Sequence, residues 1–368
     1  MAKIEETELL LLGSLPLETA EEVFRWTADT GLAAYLSSVP DGEIGDRGYW
    51  ITGLGYRLFN GHPDIETIAR PDRSNGVENW KPQRGLADQW SFRLRTAIEQ
   101  LRFGDPGWRL GYAREAISSY FVFKTLREKG VLPAEIKFQV SLPMTISTCS
   151  AMFRDALDDL PAVAHGFDQA MAAEMAKIFA KIPATDLVIQ WDSTAEQHIL
   201  GAAGEPSLLG RPIPAGVDAS QLAIQSIVAL SSRVPEDVTW GYHLCYGSLT
   251  GFFMQRPKDL SNAVLCMDRL LEHTRRRTDF IHFPVLDHVD EPYFSPLRDL
   301  AVEKARFFAG VIHNMDDPDD YQRRLDRIRR YIPRFGIGAP CGYGRFNPER
   351  LPGIAREHLE ALELLHRG

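Results

Sequence analysis

Residues 186–192 read Asp-Leu-Val-Ile-Gln-Trp-Asp, a short run in which four apolar side chains and one Gln stand between two carboxylates. A run of this length, rich in β-branched and aromatic residues, is typical of a strand buried on both faces of a parallel sheet. Seven similar runs occur along the chain, each ending near a Gly, Pro, Asp or His where a loop can begin. The eight predicted strands are residues 9–13, 34–39, 137–142, 186–191, 238–243, 279–285, 307–313 and 335–340.

Amphipathic stretches separate most of these runs, and such alternation predicts parallel strands joined by helical crossovers. Eight strands in this order predict a (β/α)8 barrel, that is, a TIM barrel of the α/β class. A chain of 368 residues is within the size range of one such barrel, so we predict a single domain over residues 1–368. The predicted helices are residues 17–30, 114–127, 167–180, 221–232, 260–275, 321–331 and 348–366.

The interval from residue 45 to residue 130 is too long for a simple crossover. It holds a polar, Trp-rich stretch followed by the helix-like run at 114–127. We predict that residues 45–130 form an insertion after the second strand that covers the mouth of the barrel, because no Ser/Gly-rich linker marks a separate domain. Four tryptophans of this segment either shape an aromatic pocket or pack the cap itself: Trp50, Trp80, Trp90 and Trp108.

The composition is that of an ordinary globular protein, with 44% hydrophobic and 25% charged residues. A net charge of −9 argues against a nucleic-acid-binding surface, which needs clustered Lys and Arg. No apolar run reaches the roughly 18 residues of a membrane span, and the first residues do not resemble a signal peptide. We therefore expect a cytoplasmic protein, with no nucleic-acid or membrane partner, whose four cysteines are reduced thiols.

The reactive groups of a parallel barrel lie at the carboxyl ends of its strands. In this chain those positions are unusually polar. They are Ser14, Asp41, Glu43, Thr145, Asp192, His243, Cys245, Asp287, His288, His313, Asn314 and Cys341.

The motif His243-Leu244-Cys245 follows the fifth predicted strand. Alternate residues leaving a strand point the same way, so the imidazole and the thiol can bind one ion together. Cys341 follows the eighth strand, and closure of the barrel would bring it to the same place. One imidazole and two thiolates suit Zn²⁺ and leave a coordination position open. The alternative is that the His-x-Cys spacing arises by chance and that Cys341 is a small core residue.

Two carboxylates and a guanidinium follow the second predicted strand, in the sequence Asp41-Gly42-Glu43 and at Arg47. Gly42 allows a tight turn that presents these groups together. Such a turn either contributes to a ligand site or is a solvated turn held by an Asp46–Arg47 pair.

Other polar residues allow less specific interpretations. Asp192, at the end of an apolar strand, either caps the next helix or binds a substrate ammonium. His282 lies inside a predicted strand and His313 ends one, and both are predicted to be hydrogen-bonded histidines of the core or rim. Cys149 and Cys266 fall in helix-like surroundings and are predicted to be packing residues.

Six short motifs stand in the same order as in a known family. They resemble Gly-Ser-Phe-Pro, His-Gly-Glu, Gly-Pro-Val-Thr, Gln-(Ile/Val)-Asp, His-Met-Cys-Tyr and Asp-Cys-Gly in the catalytic barrel of cobalamin-independent methionine synthase and its shorter relatives. The motifs of this chain are Gly13-Ser14-Leu15-Pro16, Gly42-Glu43, Leu142-Pro143-Met144-Thr145, Gln190-Trp191-Asp192, His243-Leu244-Cys245-Tyr246 and Cys341-Gly342.

The resemblance implies a role for each matched residue. His243, Cys245 and Cys341 would hold Zn²⁺, and the ion would lower the pKa of an incoming thiol so that it attacks an alkyl or methyl carbon as a thiolate. The amino-acid end of that thiol would be anchored by Ser14, Glu43 and Asp192. We add Arg47 to the predicted substrate-binding residues, and we predict Asp192 and His288 as catalytic residues.

The sequence departs from the family in three places. Pro284 stands where the family has a Glu zinc ligand, so either the site has three protein ligands or the following loop supplies Asp287, His288, Asp290 or Glu291. Ser193-Thr194 replaces a Glu-Pro pair beside the substrate pocket. The chain also lacks the extra amino-terminal barrel that helps the full-length synthases bind folate, so we expect another alkyl donor.

Three functions are compatible with these residues. The first is zinc-dependent transfer of a methyl or small alkyl group to or from a thiol. The second is a zinc-thiolate lyase or C–S bond-forming reaction on the same scaffold. The third is a metal-free barrel that binds a small carboxylated ligand through Ser14, Glu43, Arg47 and Asp192. The predicted partners are a small-molecule thiol and an alkyl donor, and nothing in the sequence predicts their identity or the oligomeric state.

Overall fold

In the computed structural model of the chain, eight parallel strands form a sheet that closes almost completely into a barrel, and helices pack around its outside. The structure describes residues 4, 6–73, 76, 81, 88–99, 101–103, 109–201, 207–208, 210–247 and 256–367. Within these residues no helix is both long and apolar enough to cross a lipid bilayer.

The eight barrel strands lie in the order β1-β12-β11-β10-β9-β6-β5-β2, and the remaining four strands form two antiparallel hairpins, β3–β4 and β7–β8. In chain order the strands are β1 (Leu9–Leu10), β2 (Ser38–Pro40), β3 (Ile65–Ala69), β4 (Ser91–Leu94), β5 (Lys137–Pro143), β6 (Leu187–Ser193), β7 (Ser207–Leu208), β8 (Arg211–Pro212), β9 (Thr239–Leu244), β10 (Phe280–Pro284), β11 (Arg306–Gly310) and β12 (Gly336–Gly338).

Long α-helices follow most barrel strands, and shorter helices lie in the loops at the barrel mouth and in the segment after β2. In chain order they are α1 (Ala20–Asp29), α2 (Thr52–Leu54), α3 (Tyr112–Glu128), α4 (Thr145–Met152), α5 (Leu160–Lys181), α6 (Glu196–Ile199), α7 (Ala219–Ser231), α8 (Ser261–His273), α9 (Glu291–Phe294), α10 (Pro318–Tyr331) and α11 (Leu351–His366).

The predicted barrel is confirmed, and each of the eight predicted strands overlaps a barrel strand. The largest shift is at β2, because Leu32–Tyr35 form a 3-10 turn and the strand begins only at Ser38. The sequence did not predict α4, since nearly all of its side chains are buried and it therefore lacks an amphipathic period. Helix α5 begins earlier than predicted, at Leu160, with a proline in its first turn.

The first and last strands close the barrel. Strand β1 pairs with β12 through Leu9–Ile337 and Leu10–Gly338, and a further parallel bridge joins Leu9 to Leu36 just before β2. The carboxyl ends of strands from both halves of the chain therefore surround one mouth.

The interior of the barrel is apolar at one level and polar above it. The apolar level is a separate cluster that includes Leu10, Val188, Phe280 and Phe308, side chains from four different strands that can meet only inside the barrel. Further toward the mouth, the Gln139 Nε2 group donates to the Leu11 carbonyl at 2.9 Å and to Gln190 Oε1 at 3.1 Å, and Ser38 Oγ donates to Gln139 Oε1 at 2.9 Å. These fully buried amides are satisfied by one another, as buried polar groups must be.

The chain between β2 and β5 contains short helices, the β3–β4 hairpin and α3. Helix α3 packs beside α1 and α5 in the outer ring of helices. Trp90 is buried and stacks on Phe92, with ring centroids 5.7 Å apart, as part of an aromatic core that also includes Phe59. Trp90 thus packs the interior of the segment between β2 and β5. Trp80 and Trp108 lie outside the described residues.

We expect Gly241→Ala to destabilise the barrel. A methyl group at this position of β9 would meet the Phe280 carbonyl oxygen and would lie 2.5 Å from Phe280 Cγ, so neighbouring backbone would have to move. Overpacking of this kind costs about 1–3 kcal/mol, measured as a lower free energy of unfolding in denaturant titrations. Gly216→Ala is the matched control, because nothing lies within 4 Å of its added methyl group. Equal stability of the two variants would contradict this packing.

Candidate metal centre

Three side chains of metal-ligand type meet at the barrel mouth. His243 is the next-to-last residue of β9, Cys245 comes directly after that strand, and Cys341 follows β12. One ligand atom from each lies within 4.8 Å of the other two, and no other His, Cys, Asp or Glu of the described residues belongs to a group of this kind. The two sulfurs are 3.3 Å apart, although the cysteines are 96 positions apart in the sequence.

Backbone hydrogen bonds hold the Cys245 loop in place. The Cys245 amide donates to the Ser193 carbonyl at 2.7 Å, and Gln197 Nε2 donates to the Cys245 carbonyl at 3.1 Å. The Gly247 amide donates to Cys245 Sγ at 3.3 Å. A donor aimed at the sulfur favours its thiolate form, which is the form that binds a metal.

The donor set fits a zinc ion. His243 Nδ1 is 2.8 Å from His282 Nδ1, whereas His243 Nε2 is buried and makes no hydrogen bond to any of the residues that the structure describes. An unsatisfied buried nitrogen calls for an explanation, and a metal ion at Nε2 would supply the missing partner. An imidazole with two thiolates is a ligand set typical of Zn²⁺ sites that keep one position open for substrate.

The two thiols differ in their proton affinity. The Cys245 thiol donates to Cys341 Sγ, and this contact, helped by the positive charge of Arg345, lowers the pKa of Cys341 well below its ordinary value. The same contact and burial raise the pKa of Cys245 well above its ordinary value. Cys341 is thus the preferred thiolate of the pair even before a cation binds.

Pro284 ends β10 at the position where the related family has its Glu ligand. The acidic residues of the following loop do not supply a ligand in its place. Asp287 pairs with Arg256 at 2.8 Å, and Glu291 pairs with Arg330 at 2.8 Å. Within the described part of the chain, the group of ligands therefore contains three protein side chains.

The structure also places His288 away from the three ligands. Its side chain is 58% exposed, its Nε2 lies 3.0 Å from Asn314 Nδ2, and its Nδ1 lies 3.6 Å from Asp320 Oδ1. The Asp290 side chain is 98% exposed. Neither residue is among the described residues that line the cavity at the barrel mouth.

A cavity of about 150 Å³ opens beside the three ligands. Because one water needs roughly 10–15 Å³ of such space, the cavity has room for a ligand on the order of ten non-hydrogen atoms. The polar residues in its wall include Ser14, Glu43, Asp192, Thr194, Arg154 and Arg345, and the apolar and aromatic residues include Leu12, Tyr49, Trp50, Ile51, Ala151 and Met152.

Ser14 joins the first and last strands at this cavity. Its Oγ accepts from the Gly344 amide at 3.1 Å, and its carbonyl accepts from the Tyr343 amide at 2.6 Å. A Cβ at Gly342 or Gly344 would clash with Ser14, so the glycines allow the close approach of the two loops. The loop after β12 is therefore fixed at Cys341.

Two buried carboxyl groups face the same cavity. Burial raises the pKa of Glu43 to about 8, against the lowering effect of the Arg47 charge, and Asp41 adds to the rise. Burial, followed by the Glu43 charge, raises the pKa of Asp192 well above its ordinary value, although Gln190 Nε2 donates to Asp192 Oδ1 at 2.8 Å. A cation in the cavity would stabilise the ionised forms of both groups.

Arg47 stabilises the turn after β2 by pairing with Asp41. Its two terminal nitrogens donate to both oxygens of Asp41, at 3.1 and 2.8 Å, and Ser119 Oγ donates to Asp41 Oδ2 at 2.8 Å. Asp41 Oδ1 also accepts from the Glu43 amide at 3.0 Å. Arg47 is buried and is absent from the described cavity wall, so it positions Glu43 through Asp41.

The interpretation of this segment as a solvated turn with an Asp46–Arg47 pair is wrong. Asp46 pairs with Arg57 at 2.7 Å, while Arg47 is buried against Asp41. The sequence does not show which nearby carboxylate pairs with Arg47, because that depends on which carboxylate the fold buries.

His282, Cys149 and Cys266 are in the core, and His313 is half-buried at the rim. His282 is fully buried against His243, and His313 Nε2 lies 2.8 Å from the Val285 carbonyl oxygen, which confirms both as hydrogen-bonded residues. Cys149 and Cys266 are fully buried in α4 and α8, as predicted.

Sequence reasoning missed Gln190 and Arg345 as site residues, and it left open whether Trp50 shapes a pocket or packs the segment around it. Gln190 stands inside an otherwise apolar strand, which is a usable signal because a buried amide needs partners. Arg345 lies four residues after Cys341 in a Gly-rich loop. Trp50 lines the cavity with a backbone φ of 54°, an uncommon value for a residue other than glycine.

Sequence comparisons give no relative: no family model matches the chain, and no curated protein matches it. Among solved structures, the chain is similar to a B12-independent methionine synthase from Shewanella sp. W3-18-1 in complex with selenomethionine. The TM-score is 0.54 at 14% identity, over 97% of this chain and 96% of that chain. A D-psicose 3-epimerase crystallised in the presence of D-fructose matches with a TM-score of 0.37 and 12% identity, over 68% of this chain and 82% of that chain. At these identities the first similarity shows the fold, a TIM barrel.

We expect Glu43→Gln to remove part of the pH dependence of stability. The folded pKa of Glu43, about 8, exceeds the ordinary value of 4.5, so unfolding releases a proton between these values and stability falls as pH rises through that window. The metal-free variant should therefore lose less unfolding free energy than the wild type between pH 5 and pH 8. Denaturant titrations at several pH values measure this, with Glu303→Gln, at an exposed site, as the control. If the unfolding free energies of Glu43→Gln and the wild type changed equally with pH, a raised pKa of Glu43 would be ruled out.

Proposed function

We propose that this protein is a zinc-dependent enzyme that transfers a methyl or small alkyl group to or from a small-molecule thiol. The observation that carries the proposal is the meeting of His243, Cys245 and Cys341 in the wall of a cavity that also contains Glu43 and Asp192. The barrel shared with a methionine synthase structure supports it at the level of the fold.

His243, Cys245 and Cys341 would hold the zinc ion, with one position facing the cavity. When bound there, Zn²⁺ would supply the Lewis acidity that lets a substrate thiol react as a thiolate near neutral pH. The Ser193 carbonyl holds Cys245 in place, and the Ser14–Gly344 contact holds the loop that contains Cys341. A substrate sulfur bound next to them would therefore have a fixed position.

The carboxyl pair supports an amino-acid thiol as one substrate. Glu43 and Asp192 repel each other when both are ionised, and burial raises the pKa of each, so the pair favours keeping a proton until a cation enters the cavity. An ammonium group would pair with the ionised partner, and Ser14 Oγ lies in the same wall for the substrate carboxylate. The similar methionine synthase structure contains selenomethionine, an amino acid of the size that this cavity accommodates.

Asp192 is the proposed proton donor. In the transfer, the thiolate sulfur forms a bond to the alkyl carbon while the bond from that carbon to the leaving group breaks, and the leaving group keeps the electron pair. A protonated Asp192 would give its proton to that group, and such general acid catalysis contributes on the order of 10²–10⁴ in rate. We do not extend this role to His288, whose exposed ring lies outside the cavity wall.

We expect the purified protein to bind close to one zinc ion per chain, and Cys341→Ser to lose most of that affinity because one of two thiolate ligands is removed. Elemental analysis after dialysis against a weak chelator measures the stoichiometry. Cys149→Ser is the matched control, since that thiol is buried in α4 away from the three ligands. A folded wild-type protein without zinc affinity would eliminate the proposal.

We expect the zinc-loaded protein to alkylate an amino-acid thiol such as L-homocysteine when it is supplied with a small tertiary N-methylamine donor, whose leaving nitrogen needs a proton. Asp192→Asn should lower kcat by roughly 10²-fold or more if the carboxyl group delivers the proton. Mass spectrometry of the thiol product measures the reaction, with Glu303→Gln as the control. A product that contains the entire donor would indicate addition, the lyase-type reaction, instead of transfer.

A further inference from the structure

The metal-binding imidazole has an unusual neighbour, a second histidine. His243 and His282 are opposite each other in the register of β9 and β10, and their Nδ1 atoms are 2.8 Å apart. Both rings are buried, with centroids 4.9 Å apart, and neither Nε2 has a hydrogen-bond partner within the described residues. The two rings therefore hold each other in position through their Nδ1 atoms.

A hydrogen bond between two Nδ1 atoms requires one ring to donate and the other to accept. A metal ion bound at His243 Nε2 needs that nitrogen unprotonated, so the neutral His243 ring must carry its proton on Nδ1. His282 then has to accept at Nδ1 and keep its own proton on Nε2. One arrangement of protons satisfies both the contact and the ligand role.

Two glycines of the barrel, Gly310 and Gly338, leave space for the His282 ring. An added Cβ at Gly310 would lie 2.9 Å from His282 Nε2, and one at Gly338 would lie 3.5 Å from it. Strand β11 thus carries glycine where a side chain would displace the imidazole, and an added methyl group at Gly338 of β12 would be in van der Waals contact with it. His282 also precedes Pro284 by two residues, so both side chains lie on the same face of β10.

We propose that His282 is a positioning residue for the metal centre: it accepts the Nδ1–H of His243 and thereby directs His243 Nε2 toward Cys245 and Cys341. The proposal rests on the proposed metal centre and adds a residue to it. Metal-binding histidines usually donate to a carboxylate, a carbonyl or water. In this protein a buried imidazole fills that place, on the strand that has Pro284 where a ligand was considered.

Metal affinity, with Co²⁺ as the probe, tests the proposal without relying on activity. The metal-free wild type, His282→Leu and His282→Asn would be titrated with Co²⁺ while the thiolate-to-cobalt absorption is followed. His282→Leu removes the acceptor and should weaken Co²⁺ binding roughly 10–100-fold. His282→Asn keeps an acceptor oxygen and should restore most of the affinity.

The control variant is His358→Leu, which removes a different fully buried imidazole, one that lies 2.7 Å from the Ile354 carbonyl in α11. It should reduce thermal stability and leave Co²⁺ affinity unchanged. Circular dichroism checks that each variant is folded. In zinc-loaded wild type, ¹⁵N NMR of labelled histidine should show His243 protonated at Nδ1 and metal-bound at Nε2.

The outcomes separate this inference from the proposed function. If folded His282→Leu binds Co²⁺ as tightly as the wild type, or if His243 binds the metal through Nδ1, the positioning role of His282 is overturned and the metal centre stands. If the wild type binds no Co²⁺, the metal centre and the inference are both overturned. If His282→Leu does not fold, the ¹⁵N spectrum of the wild type decides.

Discussion

Closure of the barrel is the constraint on which the site depends. Cys245 and Cys341 come from strands that are not neighbours in the sheet, since β10 and β11 stand between β9 and β12. Their sulfurs are 3.3 Å apart only because the pairing of β1 with β12 and the bridge from Leu9 to Leu36 curve the sheet onto itself. An open sheet with the same strands would leave the two thiols far apart, so the free energy that closes the barrel also maintains the site.

Strand register arranges the rest of the site around this pair of sulfurs. Asp192, His243 and His282 are direct neighbours in the pairing of β6, β9 and β10, so one row across three strands presents a carboxyl group and two imidazoles. Each would be costly to bury alone. The Gln190 amide supports Asp192, and the two imidazoles support each other, which lets a polar layer persist above an apolar barrel core.

Much of this was readable from the sequence, because strand runs and the His-x-Cys motif are local patterns. The position of Cys341 followed from the fold class, since the eighth strand of a barrel must return beside the first. Contacts that depend on competition between partners were not readable. Arg47 follows three acidic residues in the sequence, and burial selects Asp41 as its partner. His288 ends up outside the cavity because its loop turns there with a φ of 51° and its ring meets Asn314. Helix α4 was not predicted because its side chains are buried on nearly all sides, which removes the amphipathic pattern.

Charge balance ties the proposed chemistry to this arrangement. Buried charges are tolerated where opposite charges or hydrogen bonds compensate them. A divalent cation held by the Cys245 and Cys341 thiolates would make a neutral group with them, and a substrate ammonium would compensate the charge of an ionised Glu43 or Asp192. A substrate thiolate would lie near the Arg345 side chain, whose charge already lowers the pKa of Cys341. Attack on an alkyl carbon moves the negative charge from the sulfur to the leaving group, and a proton from Asp192 would place that charge on its carboxylate, where a substrate ammonium would stabilise it.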